Sequence, residues 1–281
     1  MAVNRKPPSF RLTKWYLDCI AATGDILLIY AADVRLGPLR FHCGSLLRAF
    51  PDGRVLTNWT VRPGSMPDAR GDELTWACEA LKLAGRWKAA AAPVGSRLLE
   101  DESGFIEWRA EQPRAEAVIQ LGSESIAGVG YAERLEVAMN SLRLPIEELR
   151  WGRFHGTDGG HVVWIFWRGP KPLALVIRNG RVDTRARGVE GGLEISGGGL
   201  QLGRERVLRC GLTGKLISAL PLLIAQQVPA AFRNIEERKW AGKAVLSCDG
   251  AVIEGQAIHE IARFPVGLRR PRTLRETANA S

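Results

Sequence analysis

No apolar run in this chain is long enough to cross a bilayer as a helix. The longest, Ile217 to Val228, is broken by Pro221 and holds two glutamines, well short of the ~20 residues a spanning helix needs. The N-terminus, beginning Met1-Ala-Val-Asn-Arg-Lys-Pro-Pro, lacks the apolar stretch of a secretory signal. The expectation is a soluble, cytoplasmic protein. The five cysteines (Cys19, Cys43, Cys78, Cys210, Cys248) are scattered, odd in number and free of Cys-x-x-Cys or Cys/His spacing. That excludes a zinc module and reads as small buried side chains in a reducing compartment. There is no Gly-x-Ser-x-Gly elbow, and His42 and His259 have no local Ser, Cys or Asp partner, so hydrolysis is unsupported. The glycines at 191–192 and 197–199, and the run Cys210-Gly-Leu-Thr-Gly-Lys-Leu, miss the spacing of a phosphate-binding loop. No cofactor and no metal are expected.

Helical pattern is scarce too. Leu216–Gln227 and Pro229–Trp240 are the best candidates, and Pro145–Leu149 suits a single helical turn. With no helices alternating with strands, a parallel nucleotide-binding sheet is excluded. Short β-like runs recur instead, punctuated by turns, as in an antiparallel sandwich or barrel. They are Ile26–Val34, Leu39–Leu47, Val55–Val61, Leu74–Leu81, Phe105–Ala110, Ala115–Leu121 and Ile126–Met139, then His161–Arg168, Leu173–Arg178, Arg181–Thr184, Gly192–Ser196, Arg206–Leu212, Lys243–Ser247 and Gly255–Arg263. Asn179-Gly180, Asp52-Gly53 and Asp249-Gly250 are hairpin signals, because these residues tolerate positive φ.

The net charge of +9 is uneven: residues 1–150 hold 19 Lys and Arg against 19 Asp and Glu, whereas residues 151–281 hold 20 against 11. A basic half attracts anionic surfaces, and peripheral membrane contact through it is one expectation. The basic residues form no stripe interleaved with aromatics and no DNA- or RNA-binding motif, so nucleic acid is not expected as a partner. The charge shift suggests two β domains, 1–145 and 146–268, followed by a basic, disordered tail, 269–281. Val162-Val-Trp-Ile-Phe-Trp is apolar on both faces, as suits a strand at the seam between two layers.

One carboxylate stands in the wrong row. Read as a strand, residues 129–139 place Val129, Tyr131, Glu133, Leu135, Val137 and Met139 on one face. Ala132, Arg134, Glu136 and Asn140 fall on the other, which should face water. Glu133 is then a lone acid on an apolar face, where desolvation disfavours its charge unless a cation pairs with it. Tyr131 shares its face. Trp151, Arg153 and His155 share a side of the next strand, so Arg153 is expected either to pair with Glu133 as a buried ion pair or to tune it. His155 and His161 flank Gly156–Gly160 and read as loop residues. Trp108 is inward-facing by alternation with Ile106 and Ala110, and nine Trp against three Tyr provide flat surfaces for an unsaturated ligand.

At these residues the chain resembles a known superfamily. Gly130-Tyr131-Ala132-Glu133, followed by Leu149-Arg150-Trp151-Gly152-Arg153-Phe154, is similar to the Gly-Tyr-x-Asp … Trp-x-Trp-Gly-Arg-Tyr region of the bacterial acyclic carotenoid 1,2-hydratases (hydroxyneurosporene synthases). That group belongs with AttH-like proteins, tocopherol cyclases and fungal Diels–Alderases. Trp15-Tyr16-Leu17-Asp18 with Gly24-Asp25 looks like their opening strand, and Gly255-Gln-Ala-Ile-His-Glu like their closing one. The match is dense only over about residues 128–168. Glu133 replaces an Asp, Val129 a usual His, and Leu135 a usual polar residue, as in an outlying member.

The resemblance implies two lipocalin-like antiparallel β-barrels packed side by side, with an apolar pocket at their junction. It also implies acid-initiated hydration, cyclisation or isomerisation of an isoprenoid or polyene-like molecule, with Glu133 as proton donor and Tyr131 as its partner. Trp108, Trp151, Arg153 and Trp164 are the expected substrate contacts. A hydrophobic small molecule is the expected partner, and a non-catalytic carrier using the same pocket is the alternative.

Overall fold

The computed structural model describes residues 8–62, 64–140, 144–213 and 233–265. The first half forms β1 (Phe10–Ala21), β2 (Ile26–Leu36), β3 (Leu39–Ala49), β4 (Val55–Thr60), β5 (Asp68–Arg70), β6 (Glu73–Cys78), β7 (Leu83–Ala89), β8 (Val94–Asp101), β9 (Gly104–Leu121) and β10 (Glu124–Met139). The second forms β11 (Glu148–Gly156), β12 (His161–Arg168), β13 (Leu173–Arg178), β14 (Arg181–Val182), β15 (Arg187–Val189), β16 (Gly192–Ile195), β17 (Gly198–Leu202), β18 (Arg206–Leu212), β19 (Glu236–Cys248) and β20 (Ala251–Arg263).

The described residues of each half form one curled antiparallel sheet of ten strands, and the two share a connectivity. The first runs β4-β3-β2-β1-β10-β9-β7-β6-β5 with β8 beside β9; the second runs β14-β13-β12-β11-β20-β19-β17-β16-β15 with β18 beside β19. The chain passes from one sheet to the other between Met139 and Glu148. Among the described residues the helical content is one 3-10 turn, Glu79–Leu81, and the single helical residue Arg233, and no helix is long and apolar enough to cross a membrane.

Three apolar clusters hold the sheets. Trp15, Leu17, Leu27, Trp87 and Ile119 fill the first sheet's own interior, and Phe154, Trp164, Val176, Leu200 and Leu246 fill the second's. The third belongs to both: Tyr16, Leu28, Trp108 and Tyr131 from the first sheet pack with Trp151, Val163, Ile165 and Ile258 from the second. Alternation along β1, β10, β11 and β12 thus feeds a barrel interior on one side and the junction on the other. The strand Val162–Trp167 is covered on two sides for this reason.

Several expectations change. Phe105–Ala110 and Ala115–Leu121 are one strand, β9, continuous through Pro113. The run Glu236–Trp240, read as helix, opens β19 instead, its charged residues laddered against β20. The rest of that candidate before Arg233, the whole of Leu216–Gln227, and the tail 269–281 lie outside the described residues. Pro145–Glu147 is not helical, and Leu149 is already in β11. The second row of β10 does not simply face water. Ala132 is buried in the first sheet's own core, and Arg134 lies over the Trp15 ring, 5.8 Å from its centroid.

Candidate active site

β10 brings Glu133 to the junction through an irregular stretch, its pairing with β9 shifting register between Gly130 and Glu133. Such bulges re-aim side chains. The carboxylate, on a residue only 5% exposed, is met by three neutral donors on one oxygen. The Trp108 indole N–H donates to Oε2 at 2.6 Å, the Tyr131 hydroxyl at 2.7 Å and the Trp151 indole N–H at 2.9 Å. Two donors come from the first sheet and one from the second. Among the described residues no Lys, Arg or His nitrogen lies within 4 Å of this carboxylate. Burial pushes the Glu133 carboxyl above its usual range, and the field of Lys14 together with the three hydrogen bonds only partly offsets this. Burial and the nearby Glu133 charge hold the Tyr131 phenol well above its ordinary pKa, so it remains a donor. Among the described residues the sealed side-chain atoms without a partner are His42 Nδ1, Gln112 Oε1, Arg153 Nη1, His155 Nδ1 and His161 Nε2.

Arg153 does not pair with Glu133. Its Nε and Nη2 donate to Asp18 Oδ2 and Oδ1 at 3.0 and 2.7 Å, and both side chains are fully buried. Tyr16 adds a hydrogen bond to Asp18 Oδ2 at 3.0 Å. Burial pushes the Asp18 carboxyl up against the pull of Arg153; desolvation opposes the charge on Arg153, but Asp18 holds the guanidinium firmly protonated. The Tyr16 ring joins the two acid sites, lying 4.9 Å from Trp151 and 6.0 Å from Tyr131 between centroids.

Trp164 also departs from expectation. It is buried in the second sheet's own core, on the far side of β11 from Trp151, where an atom at the Cβ position of Gly152 would fall 2.2 Å from its ring. There it lines a separate cavity of about 380 Å³ with Phe166, Arg150 and Arg204. His155 and His161 are buried strand residues paired across β11 and β12, not loop residues. His155 Nε2 meets the Pro113 carbonyl at 2.8 Å. The site thus gathers Glu133, Tyr131, Trp108 and Trp151, keeps Arg153 nearby on Asp18, and leaves out Trp164.

Sequence reasoning missed a third cluster. Lys239 on β19 is 2% exposed; its ammonium pairs with Glu260 at 2.5 Å and donates to the Tyr30 hydroxyl at 2.5 Å. It also lies over the Tyr16 and Trp151 rings, at 4.9 and 5.4 Å. Asp18 and Lys14 were missed for another reason. On β1 they alternate with the apolar Trp15, Leu17 and Cys19, the pattern of a solvated row. Among the described residues no three His, Cys, Asp or Glu side chains gather as metal ligands.

No family model and no curated protein sequence matches the chain. Solved structures match its fold. A protein from Nitrosomonas europaea described as an AttH superposes with TM-score 0.53 at 13% identity, over 92% of this chain and 93% of its own. Kievitone hydratase from Nectria haematococca gives 0.56 at 11%, over 91% and 89%. CghA gives 0.52 at 11%, over 90% and 88%. The chain has the AttH-like, double-lipocalin fold. In this double-lipocalin frame the junction between the two sheets carries Glu133 and its donors, while each sheet keeps a core of its own.

Proposed function

We propose that this double-lipocalin protein is an enzyme that protonates an unsaturated hydrophobic molecule, isoprenoid or polyene-like, with Glu133 as the acid. One observation carries the reading: three neutral donors converge on Glu133 Oε2 with no cation in contact. A cation would fix the carboxylate in its charged form; indole and phenol donors leave the protonated form accessible and still stabilise the charge once the proton has gone. With Oε2 occupied, Oε1 carries the proton. It passes to an alkene carbon, whose π electrons form the new C–H bond, and the other alkene carbon becomes cationic. The Trp108, Trp151 and Tyr131 rings surround that charge. Capture of water and loss of its proton completes a hydration, and loss of a neighbouring proton completes an isomerisation; in a cyclisation the π electrons of a second double bond attack the cation to form the ring bond, and the new cation then loses a proton. A solved neighbour of the same fold is a hydratase of kievitone, which supports the reaction class.

The test starts from apolar molecules that co-purify with the protein, identified by mass spectrometry and offered back as substrates. A positioned general acid contributes ~10²–10⁴-fold, so Glu133→Gln should lower turnover at least tenfold. Because Arg153 is paired with Asp18 and not with Glu133, that variant should keep its melting temperature within a few degrees. Full turnover in folded Glu133→Gln would sink the proposal. Tight binding without turnover in the unsubstituted protein would favour a carrier.

A further inference from the structure

β1 places a second charged side chain on the junction face. Lys14 pairs with Leu135 of β10 and Ala32 of β2, and two residues on Tyr16 pairs with Glu133 and Tyr30. Lys14 and Glu133 are therefore diagonal neighbours on one face, within reach of a long side chain. Lys14 is half-buried, its Nζ 5.7 Å from the centroid of the Tyr30 ring.

Around it, charge is matched with care. Arg153 is bound by Asp18, Lys239 by Glu260, and Arg209 by Glu237. Lys14 is the exception: among the described residues no carboxylate oxygen lies within 4 Å of its ammonium. The acids nearest in the fold are committed elsewhere. Glu133 turns Oε2 to Trp108, Tyr131 and Trp151, and Glu237 lies between Arg209 and Lys239. The Lys14 stem is half-buried among partly buried Leu12, Val34 and Leu135 of the same three strands, while its ammonium, with no counter-ion among the described residues, is free to take one.

We propose that Lys14 binds a carboxylate of the substrate, so that the substrate class is amphipathic: an unsaturated apolar body along Leu12, Leu135 and Trp108, with one anionic end on the Lys14 ammonium. This rests on Glu133 being the acid of the site, and it makes the acid respond to binding. Lys14 is the largest electrostatic influence drawing Glu133 toward its ionised form. A carboxylate seated on Lys14 offsets that field, so binding strengthens the hold of Glu133 on its proton.

cis-Parinaric acid, a fluorescent conjugated polyene carboxylate, and its methyl ester are the probes. A charge-assisted hydrogen bond is worth roughly 10- to 100-fold in affinity, so the full chain should bind the acid at least ~10-fold more tightly than the ester. Lys14→Met should abolish that preference while leaving ester affinity unchanged, and Lys14→Arg should retain it. Calorimetry of acid binding in buffers of different ionisation heat should show proton uptake in the unsubstituted protein and none in Glu133→Gln. An acid that binds no tighter than its ester, or a preference that survives in Lys14→Met, overturns the proposal. Neither result depends on turnover, so failure here is distinct from full turnover in Glu133→Gln, which overturns the acid assignment.

Discussion

Glu133 and Asp18 are both carboxylates on the junction face, and they differ in what holds them. Glu133 accepts from neutral indoles and a phenol, whereas Asp18 is clamped by a guanidinium. Removing the Asp18 charge leaves Arg153 buried and uncompensated, and such a break costs about 3–5 kcal/mol. Asp18→Asn is therefore expected to lose about that much stability in urea unfolding, and a loss below 1 kcal/mol would show the pair to be better solvated than its burial implies. Much of this was legible in the sequence. Strand alternation alone set Glu133, Tyr131 and Trp108 on inward faces, and Trp151 was grouped with them through its shared side with Arg153 and the family resemblance. The partner of Arg153 was not legible, because Asp18 lies 135 residues away and only the packing of β1 against β11 brings it near. Trp164 was misassigned because a strand apolar on both faces does not say which face meets the junction.

Among the elements, β10 depends on a residue without a side chain. A Cβ at Gly130 would lie 2.7 Å from the Asp18 carbonyl oxygen and 2.8 Å from both the Ala117 Cβ and the Trp87 ring. The Trp87 indole N–H donates to that same carbonyl at 2.9 Å. Gly130→Ala should push β1 away from β10 and cost roughly 1–3 kcal/mol, the range of an overpacked interior. Differential scanning calorimetry would show it, and an unchanged melting temperature would contradict the close approach. The hairpin signals were readable because left-handed residues are chemically marked: Asn179 and Gly180 have φ of 47° and 80°, Asp249 and Gly250 of 52° and 81°. β9 was read as two strands because proline normally interrupts a ladder. Here Pro113 falls where β9 passes from β8 to β7 and where its pairing with β10 slips, so no regular ladder bond is lost. Charged Glu236–Lys239 looked helical, and pairing with β20 overrode that local preference.

Across the whole molecule, the sheets are strapped together by groups that answer to pH. Arg114 of β9 reaches the Gly156 and Gly160 carbonyls of the second sheet, and His155 meets Pro113 of the first. Burial, followed by the nearby Arg153, drives His155 well below its ordinary pKa, and burial with Arg114 lowers His161. A histidine depressed in the folded state binds its proton more readily when unfolded. Its stabilisation is complete above the unfolded pKa of about 6.5 and is lost as pH falls below it. The urea midpoint should therefore fall between pH 7 and pH 5, and His155→Gln should flatten that fall. A midpoint that rises on acidification would contradict buried, neutral imidazoles. The two halves repeat one strand order, as if each were a spare copy of the other, but the cluster of Tyr16, Trp108, Tyr131 and Trp151 is owned by neither. For protein engineering, this makes the halves poor modules. A half grafted onto a foreign mate would carry one side of a wall whose other side it left behind, so the smallest exchangeable unit is the facing pair of surfaces.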